Sequence, residues 1–187
     1  MKFLFLLLLP TTLLLSACDA PDSQCAALPQ GKYCLQPSTS DTALSIQQKV
    51  AAEFGSHREI MIADIEADAT GMQFVALTPF GQKVLHVAYD NKIASAQMLP
   101  DAHLDAAQLL ALLQIALWPA DMVKQGLRDL TLLDAPTGRQ IMADGKIVID
   151  VRHDASPRPY QHLRIAMPTL DASLDMETLT ATPEAAQ

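Results

Sequence analysis

The sequence predicts a mainly antiparallel β fold, in the form of a strongly curved, incomplete β-barrel covered by one or two α-helices. Short alternating or apolar runs recur at regular spacing between Gly, Asn and Asp turn signals. The later runs alternate strictly, as expected when one face of an antiparallel sheet is wet. A single long apolar run, from 105 to 117, interrupts the series. This order favours an antiparallel meander around a helical plug over a series of βαβ units.

The strand predictions follow from period-two alternation and from the turns between the runs. Ile147, Ile149 and Val151 are opposed by Lys146, Asp150 and Arg152 at alternate positions, and Asp144-Gly145 is a strong signal for a two-residue hairpin. Predicted strands lie at 43–54, 57–67, 72–79, 82–89, 93–99, 127–134, 139–143, 146–152, 160–167 and 170–180.

The apolar run predicts the principal helix. Asp105 can cap it, and only Gln108 and Gln114 interrupt its apolar surface before Trp118-Pro119, where the residue before proline leaves the helical region. A helix that is apolar nearly all round must be buried on most sides, and at about 21 Å it is too short to span a bilayer. A second short helix is predicted at 120–125. Whether the sheet and helices enclose an apolar cavity or a packed core stays open from the residues alone.

The first residues read as a targeting segment. Lys2 precedes an apolar stretch, and Leu15-Ser16-Ala17-Cys18 resembles the lipobox of a bacterial lipoprotein signal. That resemblance implies cleavage before Cys18, which then carries a thioether-linked diacylglycerol and an N-acyl chain. The alternative is an ordinary secretory signal whose cleavage falls near a cysteine. We therefore expect a signal peptide at 1–17, an acylated tether at 18–41, one domain at 42–181 and a tail at 182–187.

Two further cysteines, Cys25 and Cys34, bracket a short segment with a proline and a glycine. In a chain bound for an oxidising compartment, such a pair predicts a local disulfide. A zinc or redox site would need CxxC-type spacing or nearby histidines, and neither is present in the sequence.

Composition and motifs exclude several classes of function. The formal net charge is −8, and no run of Lys or Arg offers the basic face that nucleic acids require. GxSxG, HExxH, P-loop and GxGxxG patterns are missing from the sequence. We therefore expect no enzymatic activity, no cofactor and no metal site. The five histidines are never paired at metal-binding spacing: His57, His86, His103, His153 and His162.

Three segments carry a resemblance to a known family: the lipobox, the strand pair at 71–79 and 81–90, and the run at 109–119. Together they resemble the DUF3261-type small bacterial lipoproteins, which are in turn similar to the lipoprotein-localisation family of LolA and LolB. The similarity covers most of residues 42–168. It implies a LolA/LolB-like half-barrel whose apolar hollow takes acyl chains, and a setting near genes for aryl-polyene or similar lipid-linked pigment assembly.

On this basis we expect a membrane-anchored lipoprotein that binds or transfers acyl chains, lipids or lipoproteins, with envelope export proteins as further partners. The alternative is a non-catalytic scaffold or assembly lipoprotein with a filled barrel. The predicted cavity lining consists of Met61, Ile65, Phe74, Leu85, Val87, Tyr89, Leu109, Leu113, Trp118, Ile149, Leu163 and Ile165.

Location within the envelope rests on two conflicting hints. Asp19 resembles an inner-membrane retention signal, whereas the LolB resemblance implies the outer membrane. We expect a periplasm-facing protein and favour the outer membrane.

Overall fold

The computed structural model describes residues 24–98 and 105–182. The strands are β1 (Cys25–Leu28), β2 (Gly31–Cys34), β3 (Leu44–Phe54), β4 (His57–Asp68), β5 (Gly71–Leu77), β6 (Lys83–Tyr89), β7 (Ala94–Met98), β8 (Leu127–Arg128), β9 (Thr131–Ala135), β10 (Gly138–Ala143), β11 (Lys146–His153), β12 (His162–Met167) and β13 (Ala172–Thr182). The α-helices are α1 (Ala106–Leu117) and α2 (Ala120–Gly126).

Most strands belong to one open antiparallel sheet of ten strands, in the order β7-β6-β5-β4-β3-β13-β12-β11-β10-β9. The order consists of two meanders, β3 to β7 and β9 to β13, joined by antiparallel pairing of β3 with β13. A smaller sheet has the order β1-β2-β8. The prediction of a mainly antiparallel β fold is confirmed. The pairing of β3 with β13 brings the two halves of the chain together.

The predicted run at 127–134 is not one strand. It divides into β8 and β9 because Asp129 has a φ of 61°, a left-handed conformation that interrupts extended backbone. The two pieces then join different sheets: β8 pairs with β2, and β9 pairs with β10.

The predicted tether is also corrected. Residues 25–34 form a β-hairpin rather than a linker, and its turn places Gln30 at a φ of 64°. Tyr33 on β2 is fully buried, and Leu35 just after it is also buried. Burial of these side chains offsets the entropy lost in ordering the segment. The fold therefore includes residues that the sequence assigned to the tether.

Cys25 and Cys34 face each other across this hairpin and are joined by a disulfide, the pairing expected from the sequence. The predicted signal peptide at 1–17, the anchor residue Cys18 and the sorting residue Asp19 lie outside the described residues, as does the tail from 183 onward.

Neither helix described within residues 24–98 and 105–182 has the length and apolar character needed to cross a membrane.

We expect the double substitution Cys25→Ser with Cys34→Ser to lower the free energy of unfolding by about 2–3 kcal/mol, because the open hairpin regains conformational freedom when unfolded. Urea unfolding followed by circular dichroism measures this. Reduced wild-type protein should behave like the double variant, and identical midpoints for oxidised wild type and variant would contradict the expectation.

Candidate functional site

Helix α1 is the centre of the candidate site, and its sequence determines where it begins and ends. The Asp105 carboxylate accepts a hydrogen bond from the Gln108 backbone N–H at 2.7 Å, and the Gln108 side chain accepts one from the Asp105 N–H. At the other end Trp118 is extended, with φ −91° and ψ 160°, and Pro119 follows. The predicted cap and stop are therefore confirmed.

The helix is enclosed on opposite sides. It contacts β6, β7 and β12 of the large sheet and β1 of the small sheet. Every residue from Leu109 to Leu117 is buried. The sequence predicted this burial without identifying what provides it on the outer side. The structure assigns that role to residues 25–38, here called the N-terminal cover.

Three side-chain hydrogen bonds attach the N-terminal cover to α1. The fully buried amide of Gln114 accepts from the Gln36 backbone N–H at 2.9 Å and donates to the Gln36 carbonyl at 3.1 Å. Nearer the start of the helix, the Gln108 side chain donates to the Ala27 carbonyl. The two glutamines that interrupt the apolar surface of α1 thus bind backbone groups of the cover, and for the fully buried Gln114 these bonds also satisfy its own amide.

The predicted cavity lining lies together in the structure, but it encloses no hollow. Ile65, Val87, Leu113, Trp118, Ile149 and Ile165 have no accessible surface, so no water-sized space adjoins them. Phe74, Tyr89, Leu109 and Leu163 are buried in the same core, while Met61 and Leu85 are half-buried against it. The side chains of the protein fill the space between sheet and helix, which is the packed-core alternative left open by the sequence.

Three surface hollows measure about 440, 470 and 420 Å³. Leu163 lines the first and Tyr89 the second, and none of the three is lined by a residue of α1. The first is crossed by strand-to-strand ion pairs such as Arg164 with Asp175 at 3.0 Å, while Arg152 at its border pairs with Asp150 at 2.8 Å. These pairs are the solvated charges of the outer sheet face, and exposed pairs of this kind contribute little to stability.

Arg139 is a functional candidate that the sequence reasoning missed. Its side chain is buried on β10, and its Nη1 donates to the carbonyls of Ile115 and Trp118 at 2.9 and 2.7 Å. It therefore satisfies carbonyls at the C-terminal end of α1, which have no partner within the helix. The signal was available, because Arg139 shares the inward parity of Ile141 and Ala143 along β10.

Phe80 is a second residue that sequence reasoning did not single out. It lies at the tip of the turn between β5 and β6, which is closed by hydrogen bonds between Thr78 and Gln82, and its side chain is 93 % exposed.

No cluster of three or more histidine, cysteine or acidic side chains suited to a metal ion occurs in the described parts of the chain. Of the five histidines, His103 lies outside the described residues, and His153 stacks on Tyr160 with ring centroids 3.7 Å apart.

Residues 45–180 match the model of a family described as proteins of unknown function, DUF3261. The chain belongs to this family. No curated protein matches the chain. The range that matches the DUF3261 model runs from β3 into β13 and includes α1 and Arg139, whereas the N-terminal cover precedes it.

We expect Gln114→Leu to lower the free energy of unfolding by about 2 kcal/mol, because it removes two hydrogen bonds and leaves the half-buried N–H and C=O of Gln36 without these partners. Chemical denaturation measures the change. Gln47→Leu is the matched control, because Gln47 pairs with the Asp64 side chain on the outer face and should shift stability by less than about 0.5 kcal/mol. Equal effects of the two variants would show that the contact of Gln114 with the cover contributes no more to the free energy of unfolding than the outer-face contact of Gln47.

Proposed function

We propose that this protein is a membrane-anchored lipoprotein that binds or transfers acyl chains, lipids or lipoproteins at the periplasmic face of the cell envelope. The observation that carries the proposal is the buried helix α1, which is apolar nearly all round and occupies the space between an open sheet and a small cover. A sheet face lined by apolar side chains, closed by a separate apolar element, offers the surface that an acyl chain needs.

The contacts of α1 support a strongly curved, half-barrel sheet of the LolA/LolB type. Strands β6 and β12 are five steps apart in the sheet order, and α1 touches both. Neighbouring strands are separated by about 4.8 Å, so in a flat sheet those two strands would lie about 24 Å apart. A helix about 10–12 Å in diameter that lies along the strands would reach both in a sheet that bends around it, as this proposal has it.

Because the interior is filled, chain binding in this proposal requires α1 and the N-terminal cover to move away from the sheet. The acyl chain then replaces the side chains of α1 against residues such as Ile65, Val87 and Ile149. Burial of apolar surface drives the exchange, at about 25 cal/mol per Å². The contacts between cover and helix, led by the Gln114–Gln36 pair, oppose it.

Phe80 supports contact with an apolar client or a membrane surface. An aromatic side chain that is 93 % exposed at the tip of a turn contributes nothing to the core, whereas burial in lipid would recover its full apolar area. In this proposal the turn between β5 and β6 is where the domain meets its client.

The proposed anchor is Cys18, and the proposed location is the outer membrane with the domain facing the periplasm. Clients of aryl-polyene type and envelope export proteins as partners follow from the family resemblance and belong to the proposal.

We expect Cys18→Ala to abolish labelling by a radioactive or clickable fatty acid and to release the protein from the membrane fraction, because several acyl chains at one residue hold a protein on a bilayer. Ser16→Ala, which keeps a small residue in the lipobox, is the control and should still be labelled. A Cys18→Ala protein that remains in the membrane fraction would contradict the anchor.

Trp118 gives a direct test of chain binding, since it is the single tryptophan and is fully buried at the end of α1. We expect dibromostearic acid to quench Trp118 fluorescence in unacylated Cys18→Ala protein, because bromine quenches an indole only on contact. Unbrominated stearic acid is the control and should not quench. Unchanged fluorescence with both acids, at concentrations where stearic acid is dispersed, would refute binding beside α1.

The filled interior favours a second candidate function, a scaffold or assembly lipoprotein whose outer face docks a partner protein. In that case α1 remains in place, and the Trp118 signal stays constant with either acid. Crosslinking in cells followed by mass spectrometry would then identify a protein partner on the outer face of the large sheet.

A further inference from the structure

Gln48 is a buried amide on the inner face of the large sheet, and its oxygen has no donor. The side chain lies on β3 and is fully buried. Its Nε2 donates to the Thr178 Oγ1 at 3.1 Å, whereas its Oε1 has no hydrogen-bond partner among the described residues. A buried acceptor without a donor costs free energy, and an apolar side chain of similar size would avoid that cost. The fold alone therefore does not account for an amide at this position.

The neighbouring hydroxyl determines which way the amide of Gln48 faces. Thr178 donates its hydroxyl hydrogen to the Tyr160 carbonyl at 2.7 Å, so towards Gln48 its oxygen can only accept. The Nε2 of Gln48 must therefore face Thr178, and the Oε1 faces away from it. An acceptor oriented in this way is satisfied only by a donor such as a hydroxyl.

Gln48 ends a row of small side chains that crosses the inner face of the sheet. It is directly opposite Ala63 on β4, and Ala63 is opposite Ala76 on β5. Ala76 is opposite Leu85 on β6. Gln48 and the two alanines are fully buried, whereas Leu85 is half-buried, so the row reaches the surface at Leu85. At about 4.8 Å between strands, the row is about 14 Å long.

Larger side chains flank this row on both sides, so the alanines form the floor of a groove across the strands. The flanking side chains are Ile46, Ile65 and Phe74 on one side and Val50 and Met61 on the other. In the proposed mode of chain binding, α1 and the N-terminal cover move away from this face. Gln48 and Thr178 remain side by side in that state, because β3 and β13 are paired neighbours in the sheet.

We infer that Gln48 is the polar end of this groove and selects acyl chains that carry a hydroxyl group at the end far from the carboxylate. The inference rests on the proposed function and adds the chemical class of ligand. The ionised carboxylate stays in water beside Leu85, because an unpaired charge is costly to bury. The chain follows the alanines, and its terminal hydroxyl donates to the Oε1 of Gln48.

Trp118 reports on this groove because one loop links it to Gln48. Arg158 in the loop between β11 and β12 donates to the carbonyl of Leu117, the residue before Trp118, at 2.9 Å. Two residues later, Tyr160 accepts from Thr178, the partner of Gln48. The indole at the end of α1 and the proposed hydroxyl site thus lie on opposite sides of the same short loop.

The test measures how well two isomeric acids displace dibromostearic acid from unacylated Cys18→Ala protein, by recovery of Trp118 fluorescence. ω-Hydroxydodecanoic acid carries a hydroxyl donor at its far end, whereas ω-methoxyundecanoic acid has the same atoms and only an acceptor there. We expect the hydroxy acid to bind about fivefold more tightly, the effect of one neutral hydrogen bond. Adding Gln48→Met should remove this preference.

Two measurements separate a ligand-binding role of Gln48 from a structural one. Gln48→Met should not lower the urea midpoint, because it removes an oxygen without a partner while the Thr178 hydroxyl keeps its bond to the Tyr160 carbonyl. Gln47→Leu is the matched control, because the adjacent Gln47 bonds Asp64 on the outer face, and this variant should keep the preference for the hydroxy acid.

The outcomes distinguish this site from the proposed function. Equal displacement by the two acids, which is measured with Gln48 in place, would overturn the hydroxyl site while chain binding stands. A preference that survives Gln48→Met would do the same. Failure of dibromostearic acid to quench Trp118 would overturn both the site and the proposed function.

Discussion

The structure depends on keeping one helix out of water on every side. From Leu109 to Leu117, α1 is apolar apart from a single glutamine, so one sheet face cannot bury it completely. The large sheet covers one side, and the other side needs a second layer. That requirement explains why the chain before β3 folds back as a disulfide-bonded hairpin and why β8 leaves the main sheet to pair with it.

The polar groups within this core include some that are paired and some that are not. Gln114 and Arg139 satisfy backbone groups that the fold would otherwise bury without partners, at the cover and at the end of α1 respectively. Tyr33 and Trp118 instead leave their own donors without acceptors. An unmade buried hydrogen bond costs about 1–3 kcal/mol while a made one contributes about 1 kcal/mol, so the unpaired donors lower the stability of a core that the contacts of Gln114 and Arg139 help to hold.

Most of the fold could be predicted from the spacing of apolar residues. Strands such as β11 are long enough to show alternation of apolar and polar residues, and α1 is a long apolar run without that alternation. The spacing failed for β1 and β2, which have four residues each and sit in a Pro- and Gln-containing segment typical of a linker. The state of the interior was beyond sequence reasoning, since the same inward residues line a hollow or fill it. Arg139 was predictable, because its parity on β10 places a charge inward.

The hairpin at 25–34 limits how far an anchor at Cys18 could hold the domain from the bilayer. A linker from 18 to 41 could extend the domain roughly 80 Å from the bilayer, but the described fold already includes Gln24, and a chain of six residues from Cys18 to Ser23 can span at most about 20 Å. The Gln24 side chain bonds the Lys92 carbonyl, which fixes this entry point at the turn between β6 and β7. An anchor at Cys18 would therefore hold the N-terminal cover, the layer that moves in the proposed mode of chain binding, close to the lipid surface.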